Sequence, residues 1–216
     1  MAETMTDFAK IREHMVSRQI QARGIDDPAL LAAMRAVPRE AFVSPDLAGA
    51  AYDDSPLPIE AGQTISQPYI VALMIDEAEI GEADHVLEIG AGSGYAAAVI
   101  GQIAKSVVAV ERHHELAELA ATRMQRFGYD NVRIVEGDGS RGWPGEAPFD
   151  AILAAASGSH VPQALIDQLK PGGRLVMPLG GRWSIQSLVK LTKREDGSVD
   201  REELGAVRFV PLIEAE

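Results

Sequence analysis

The sequence predicts an α/β fold: a mostly parallel central sheet with a C-terminal antiparallel hairpin and an N-terminal helical and loop cap. Three observations predict it. From residue 85 onward, short apolar strands alternate with helices, the pattern of strand–helix–strand units in a sheet covered on both faces. Near the C-terminus, residues 185–192 and 206–211 have only a polar turn around Asp196-Gly197 between them, so they pair as a hairpin. Residues 1–80 show helical spacing and prolines instead of strands.

The cap begins with a helix over residues 8–22, where Ile11, Met15 and Ile20 recur at helical spacing. Gly24 ends it in a left-handed conformation. Asp27-Pro28 starts a second helix: the aspartate accepts free amide hydrogens and proline suits the first turn. That helix stops before Val37-Pro38. Residues 44–68 carry Pro45, Pro56, Pro58 and Pro68 and read as ordered loop with short extended pieces. Residues 69–78 are helical again.

The alternating part follows. Strands are expected at 85–89, 107–111, 132–136, 149–155 and 173–178, and helices at 95–104, 113–127 and 162–169. The 216 residues suit one domain. Residues 1–80 would form its helical and loop region and 81–216 its α/β core.

Charge and composition narrow the partners. The net charge of -12 repels phosphate backbones and anionic membranes. There is no cysteine, hence no disulfide, thiolate metal site or thiol nucleophile. The N-terminus carries acids and no apolar run, unlike a secretory leader. A cytoplasmic monomer with no membrane or nucleic-acid partner is expected.

The first chemical signal is Val86-Leu87-Glu88-Ile89-Gly90-Ala91-Gly92-Ser93-Gly94-Tyr95. A strand runs into alternate glycines and then a helix, whose first amides are unpaired. A dinucleotide fingerprint would place its third glycine at position 95, where this chain has Tyr95. An acid two residues ahead of Gly-x-Gly-x-Gly resembles instead the Rossmann-like S-adenosylmethionine-dependent methyltransferase fold. In that resemblance Glu88, Gly90, Gly92, Ser93 and Gly94 surround the amino-acid part of the cofactor. Glu111, ending the next strand, accepts from the ribose hydroxyls. Asp138-Gly139, after the third strand, lies by the adenine edge. All three elements fall at strand C-terminal ends, where open α/β sheets bind ligands.

The second signal is Gly62-Gln63-Thr64-Ile65-Ser66-Gln67-Pro68. With Val37-Pro38-Arg39-Glu40-Ala41-Phe42-Val43, Lys170-Pro171-Gly172-Gly173 and Phe209-Val210-Pro211-Leu212, it resembles the protein-L-isoaspartate O-methyltransferases over residues 15–212. The stretch Ala154 to His160 departs from that family's usual pattern.

The resemblance implies S-adenosylmethionine as cofactor and isoaspartyl-containing proteins and peptides as substrates. The free α-carboxylate is methylated, and the ester closes to a succinimide. A carboxylate is already ionised at neutral pH, so no general base is required. Ser66 would be the catalytic residue, its hydroxyl holding one carboxylate oxygen while the other faces the methyl. Gln63, Thr64 and Ile65 would border the cofactor's methionine end. Backbone groups of Val210 and Leu212 would bind the substrate peptide. Other readings remain open at this point. Ser66 could instead cap the helix at Pro68. The fold could act on a different carboxylate or a small molecule, or bind damaged peptide without turnover. The histidines (His14, His85, His113, His114, His160) read as surface or structural, with no zinc motif.

Overall fold

The computed structural model describes residues 7–181 and 185–213. Residues 1–6, 182–184 and 214–216 lie outside them.

Helix α1, Phe8–Met15, is capped by Asp7, which accepts from the Lys10 amide at 3.3 Å. The chain continues through a π turn, Val16–Ile20, and a 3₁₀ turn, Gln21–Arg23, to Gly24 at φ 95°. Helix α2, Pro28–Ala36, starts as expected: Asp27 Oδ1 accepts from the Leu30 amide at 2.7 Å. The proline-rich loop contains two short strands, β1 (Leu57–Pro58) and β2 (Thr64–Ile65), paired antiparallel. Helix α3 spans Pro68–Glu77.

The core then runs β3 (His85–Ile89), α4 (Tyr95–Gly101), β4 (Ser106–Glu111), α5 (His114–Phe127), β5 (Val132–Glu136), β6 (Phe149–Ala154) and α6 (Gln163–Asp167). It closes with β7 (Leu169–Leu179), β8 (Gln186–Lys193) and β9 (Val199–Val207). The sheet order is β5-β4-β3-β6-β7-β8-β9. Pairings from β5 through β7 are parallel, and β8 and β9 add antiparallel. From β3, the chain builds outward to β4 and β5 on one side and then to β6 and β7 on the other. The order reverses between β3 and β6, which makes their C-terminal ends the switch point of the sheet.

Alternation along the strands divides the core into two faces. Val86, Val107, Ala109, Ala151 and Leu153 pack toward the cap with Met34, Val71 and Ala97. Leu87, Ile89, Val108, Val110 and Ile152 pack the other way with Leu165 and Phe149. Each fully buried Val, Leu, Ile, Met or Phe among them contributes about 1.5–3 kcal/mol. Residues of the cap and the sheet share one continuous apolar cluster, so the 57–68 loop is held firmly over the strand ends.

The last strand differs from expectation. It is Val199–Val207, not 206–211. Its sequence, Val-Asp-Arg-Glu-Glu-Leu-Gly-Ala-Val, is mostly exposed because β9 is an edge strand. Polar edge strands resist unwanted pairing and carry no apolar alternation for a sequence reading to find. The apolar run after it leaves the sheet and crosses the strand ends, where Pro211 bridges Ser157.

Candidate functional site

A cleft of about 960 Å³ opens at the switch point. Four segments wall it: the loop and α3 start around 62–67, the glycine turn after β3, the end of β4, and the C-terminal segment 206–213. Ser66, Gln63, Thr64, Ile65, Glu88, Gly90, Gly92, Ser93, Glu111, Gly139, Val210 and Leu212 all line it. Residues remote in sequence thus converge on one cleft.

Two expected residues stand apart. Gly94 packs behind the turn. Its φ is 86°, and a Cβ there would lie 3.0 Å from Met124 Cε and 3.1 Å from Ala120 Cβ on α5. It is glycine for the turn and for helix approach. Asp138 faces a smaller hollow of about 390 Å³ with Arg112, Glu136 and Gly137. Its Oδ1 accepts from the Ser140 amide at 3.0 Å and hydroxyl at 2.7 Å, which caps the turn Gly139–Arg141.

The two acids at the strand ends differ in environment. Glu111 is buried, and its oxygens accept from the Gly92 amide at 2.8 Å and the His113 amide at 2.9 Å. Each oxygen retains capacity for a further donor. Glu88 is also buried, and its Oε2 has no hydrogen-bond partner among the described residues. Burial, and then repulsion from Glu111, push its carboxyl up to about 8. A buried, unpartnered acceptor of this kind is satisfied by a ligand that brings cationic or hydrogen-donating groups.

Ser66 is half-buried in the cleft wall just ahead of α3. It does not cap α3: the N-cap is Gln67, and no side chain caps that end. Its backbone carbonyl accepts from Arg39 Nη2 at 2.7 Å.

The C-terminal segment is fixed by Ser157, in the stretch that departs from the family pattern. The Ser157 amide donates to the Val210 carbonyl at 2.8 Å, and the Leu212 amide donates to the Ser157 carbonyl at 2.8 Å. The Ser157 hydroxyl donates to the Gly180 carbonyl at 3.0 Å. The Val210 carbonyl and the Leu212 amide are thus engaged within the chain. Ala155, Ala156, Phe209 and Ile213, to which the sequence assigns no individual role, are also in the cleft wall. Small and apolar residues give no chemical signal, and only their strand-end position would have marked them.

A strand, a Gly-x-Gly-x-Gly turn and a helix at the switch point, with an acid closing the next strand, define a Rossmann-like S-adenosylmethionine-dependent methyltransferase. Comparison with known proteins narrows this. The family model described as protein-L-isoaspartate(D-aspartate) O-methyltransferase matches residues 10–216, and the chain belongs to that family. Protein-L-isoaspartate O-methyltransferase 1 of Rhodopseudomonas palustris (strain HaA2) is 56% identical over 213 residues, 99% of this chain and 87% of the relative. A Pelobacter propionicus protein-L-isoaspartate O-methyltransferase is 53% identical over 205 residues, 95% of this chain and 91% of its own. A solved Plasmodium falciparum structure, described as a protein-L-isoaspartate O-methyltransferase in complex with S-adenosyl-L-homocysteine, superposes with a TM-score of 0.82. It is 25% identical and covers 94% of this chain and 99% of its own.

Proposed function

We propose that this chain transfers a methyl group from S-adenosylmethionine to the free α-carboxylate of L-isoaspartyl residues, and that Ser66 orients the acceptor. The observation that carries the reading is the shared cleft. The Ser66 segment and the acid-flanked glycine turn face the same space.

The residues suit the cofactor. S-adenosylmethionine supplies a methyl on a positively charged sulfur. Glu88, buried and unpartnered on one oxygen, suits a cationic ligand. Glu111, held by the Gly92 and His113 amides, has capacity for the ribose hydroxyls. Gly90 and Gly92 leave room for close backbone approach. Gln63, Thr64, Ile65 and Ser93 border the same end, and Gly139 borders the base.

The acceptor needs no deprotonation, so the chain's task is alignment. The Ser66 hydroxyl donates to one carboxylate oxygen and leaves the other free to attack. Ala155, Ala156, Val210 and Leu212 shed water from the cleft. Anion and cation neutralise each other as the methyl moves, and a drier site favours that step. The resulting ester closes to a succinimide as the neighbouring backbone amide nitrogen displaces methanol, and hydrolysis of the ring returns part of the material to normal aspartate. Val210 and Leu212 meet the substrate peptide through side chains and the backbone groups that Ser157 leaves free. The net charge of -12 further favours peptide over nucleic-acid substrates.

The test is methyl transfer from labelled S-adenosylmethionine to an isoaspartyl peptide. A base-labile ester is expected. Label no higher than on the matching aspartyl peptide overturns the assignment.

A further inference from the structure

Arg39 is among the largest fully buried side chains of the protein. It lies in the turn Arg39–Phe42, outside the cleft wall. Among the described residues no carboxylate forms an ion pair with it; the titratable groups facing it are Tyr95 and Tyr52. Burying an unpaired cation is costly, so its bonds need an account.

Those bonds go to residues on either side of the β1–β2 pair, and the face of the group meets the cofactor side. Arg39 Nε donates to the Ala51 carbonyl at 2.6 Å. Nη2 donates to the Ser66 carbonyl at 2.7 Å. The guanidinium lies 4.7 Å from the centre of the Tyr95 ring. Tyr95 is the first residue of α4, directly after the glycine turn, and it lines the cleft. One rigid, planar cation therefore spans the start of the loop, the proposed acceptor-orienting residue and the helix that follows the cofactor turn.

We infer that Arg39 is a positioning residue for methyl transfer: it sets Ser66 against the cofactor side by holding the Ser66 carbonyl while stacking on Tyr95. A guanidinium can donate in two fixed directions and present a face at once. An ammonium is a point charge and cannot do all three. The inference rests on the role given to Ser66, and its test separates the two.

Turnover on an isoaspartyl peptide, and S-adenosylhomocysteine affinity by calorimetry, are measured for wild type, Ser66→Ala, Arg39→Lys and the double variant. Arg39→Lys is expected to lower kcat about tenfold or more, since a displacement near 1 Å costs up to about 10²-fold. Its cofactor affinity should stay within about twofold of wild type. In the Ser66→Ala background the same substitution should have almost no further effect on kcat, because both act through one hydroxyl. If Ser66→Ala turns over like wild type, the Ser66 reading fails. If Ser66→Ala is impaired but Arg39→Lys is not, or if their effects multiply, the Arg39 inference alone fails.

Hydrogen exchange with S-adenosylhomocysteine bound gives a second readout. Faster exchange confined to the chain around residue 51 and residues 64–67 supports positioning. Uniform loosening of the cap and sheet overturns it. Should Arg39→Lys not fold, Arg39→Met removes the buried charge with similar bulk, and the same pattern is required of it.

Discussion

The Gly92 amide donates to the Glu111 carboxylate across 2.8 Å, which joins the glycine turn to the end of the neighbouring strand. The two elements proposed to hold the amino-acid part and the ribose of one cofactor are thus a single hydrogen-bonded unit. Glu111 serves two tasks: it fixes the turn and retains acceptor capacity for the ribose.

Glu111→Ala is therefore expected to weaken cofactor binding more than the loss of one contact would. Bonds to a charged group are worth about 1.5–3 kcal/mol each, and the turn also loses an anchor. A drop in S-adenosylhomocysteine affinity of roughly 30-fold or more should appear by calorimetry. Glu111→Gln, which keeps one acceptor oxygen, should fall between. Wild-type affinity in the alanine variant would remove the ribose assignment.

Glu88 predicts a pH dependence. Its carboxyl is raised to about 8 by burial, then by Glu111, from an ordinary value of 4.5. A raised value means the folded state holds the proton more tightly than the unfolded state. The stability from that proton is complete below the ordinary glutamate range. It is lost progressively as pH climbs through about 8. The ligand-free protein should thus show a falling melting temperature across that window, and Glu88→Gln should flatten the slope. A cationic ligand favours the ionised form, so cofactor uptake below pH 8 should release a proton. Calorimetry in buffers of different ionisation enthalpy measures that release, and an identical heat in every buffer would contradict it.

Ser66→Ala should separate chemistry from binding. The hydroxyl is proposed to orient the acceptor, while the cofactor rests mainly on the opposite wall. The variant should lose roughly 10- to 100-fold in kcat, with S-adenosylhomocysteine affinity within about twofold. Equal losses in both would recast Ser66 as part of the cofactor site.

Gly94 makes a stability prediction. A side chain at φ 86° costs about 1–2 kcal/mol, and its Cβ would press on Met124 and Ala120 of α5. Gly94→Ala should lower the melting temperature by several degrees, at about 2–4 °C per kcal/mol for a chain of this size. An unchanged midpoint would show that α5 yields freely.

These predictions follow how information is distributed in the chain. The glycine turn, the Asp27 cap and the Gly24 stop were legible because each is a local rule in which a few adjacent residues determine the conformation. The Ser66 segment was legible only through family resemblance, since its partners come from elsewhere in the fold. Arg39 was legible as part of a motif but not as a device: its bond is to a backbone carbonyl 27 residues away, and every residue has such a carbonyl. The polar edge strand β9 was misplaced because apolar pattern was the only guide. Its absence pushed the strand onto the apolar run behind it.

Gln186 illustrates the same limit and carries the last prediction. It is buried at the start of β8, and it donates through Nε2 to the Phe209 carbonyl at 3.1 Å. Its Oε1 accepts from the Phe209 amide at 2.6 Å. The side-chain amide thereby replaces a strand partner and holds the C-terminal segment at the point where it leaves β9 for the cleft. Gln186→Ala leaves the part-buried Phe209 amide and carbonyl without their partner, at a cost of up to about 1 kcal/mol each. The segment 208–213 should then loosen while the glycine turn stays intact. KM for an isoaspartyl peptide should rise several-fold, with S-adenosylhomocysteine affinity within about twofold of wild type. A variant with normal KM would mean that Ser157 alone suffices to seat the segment.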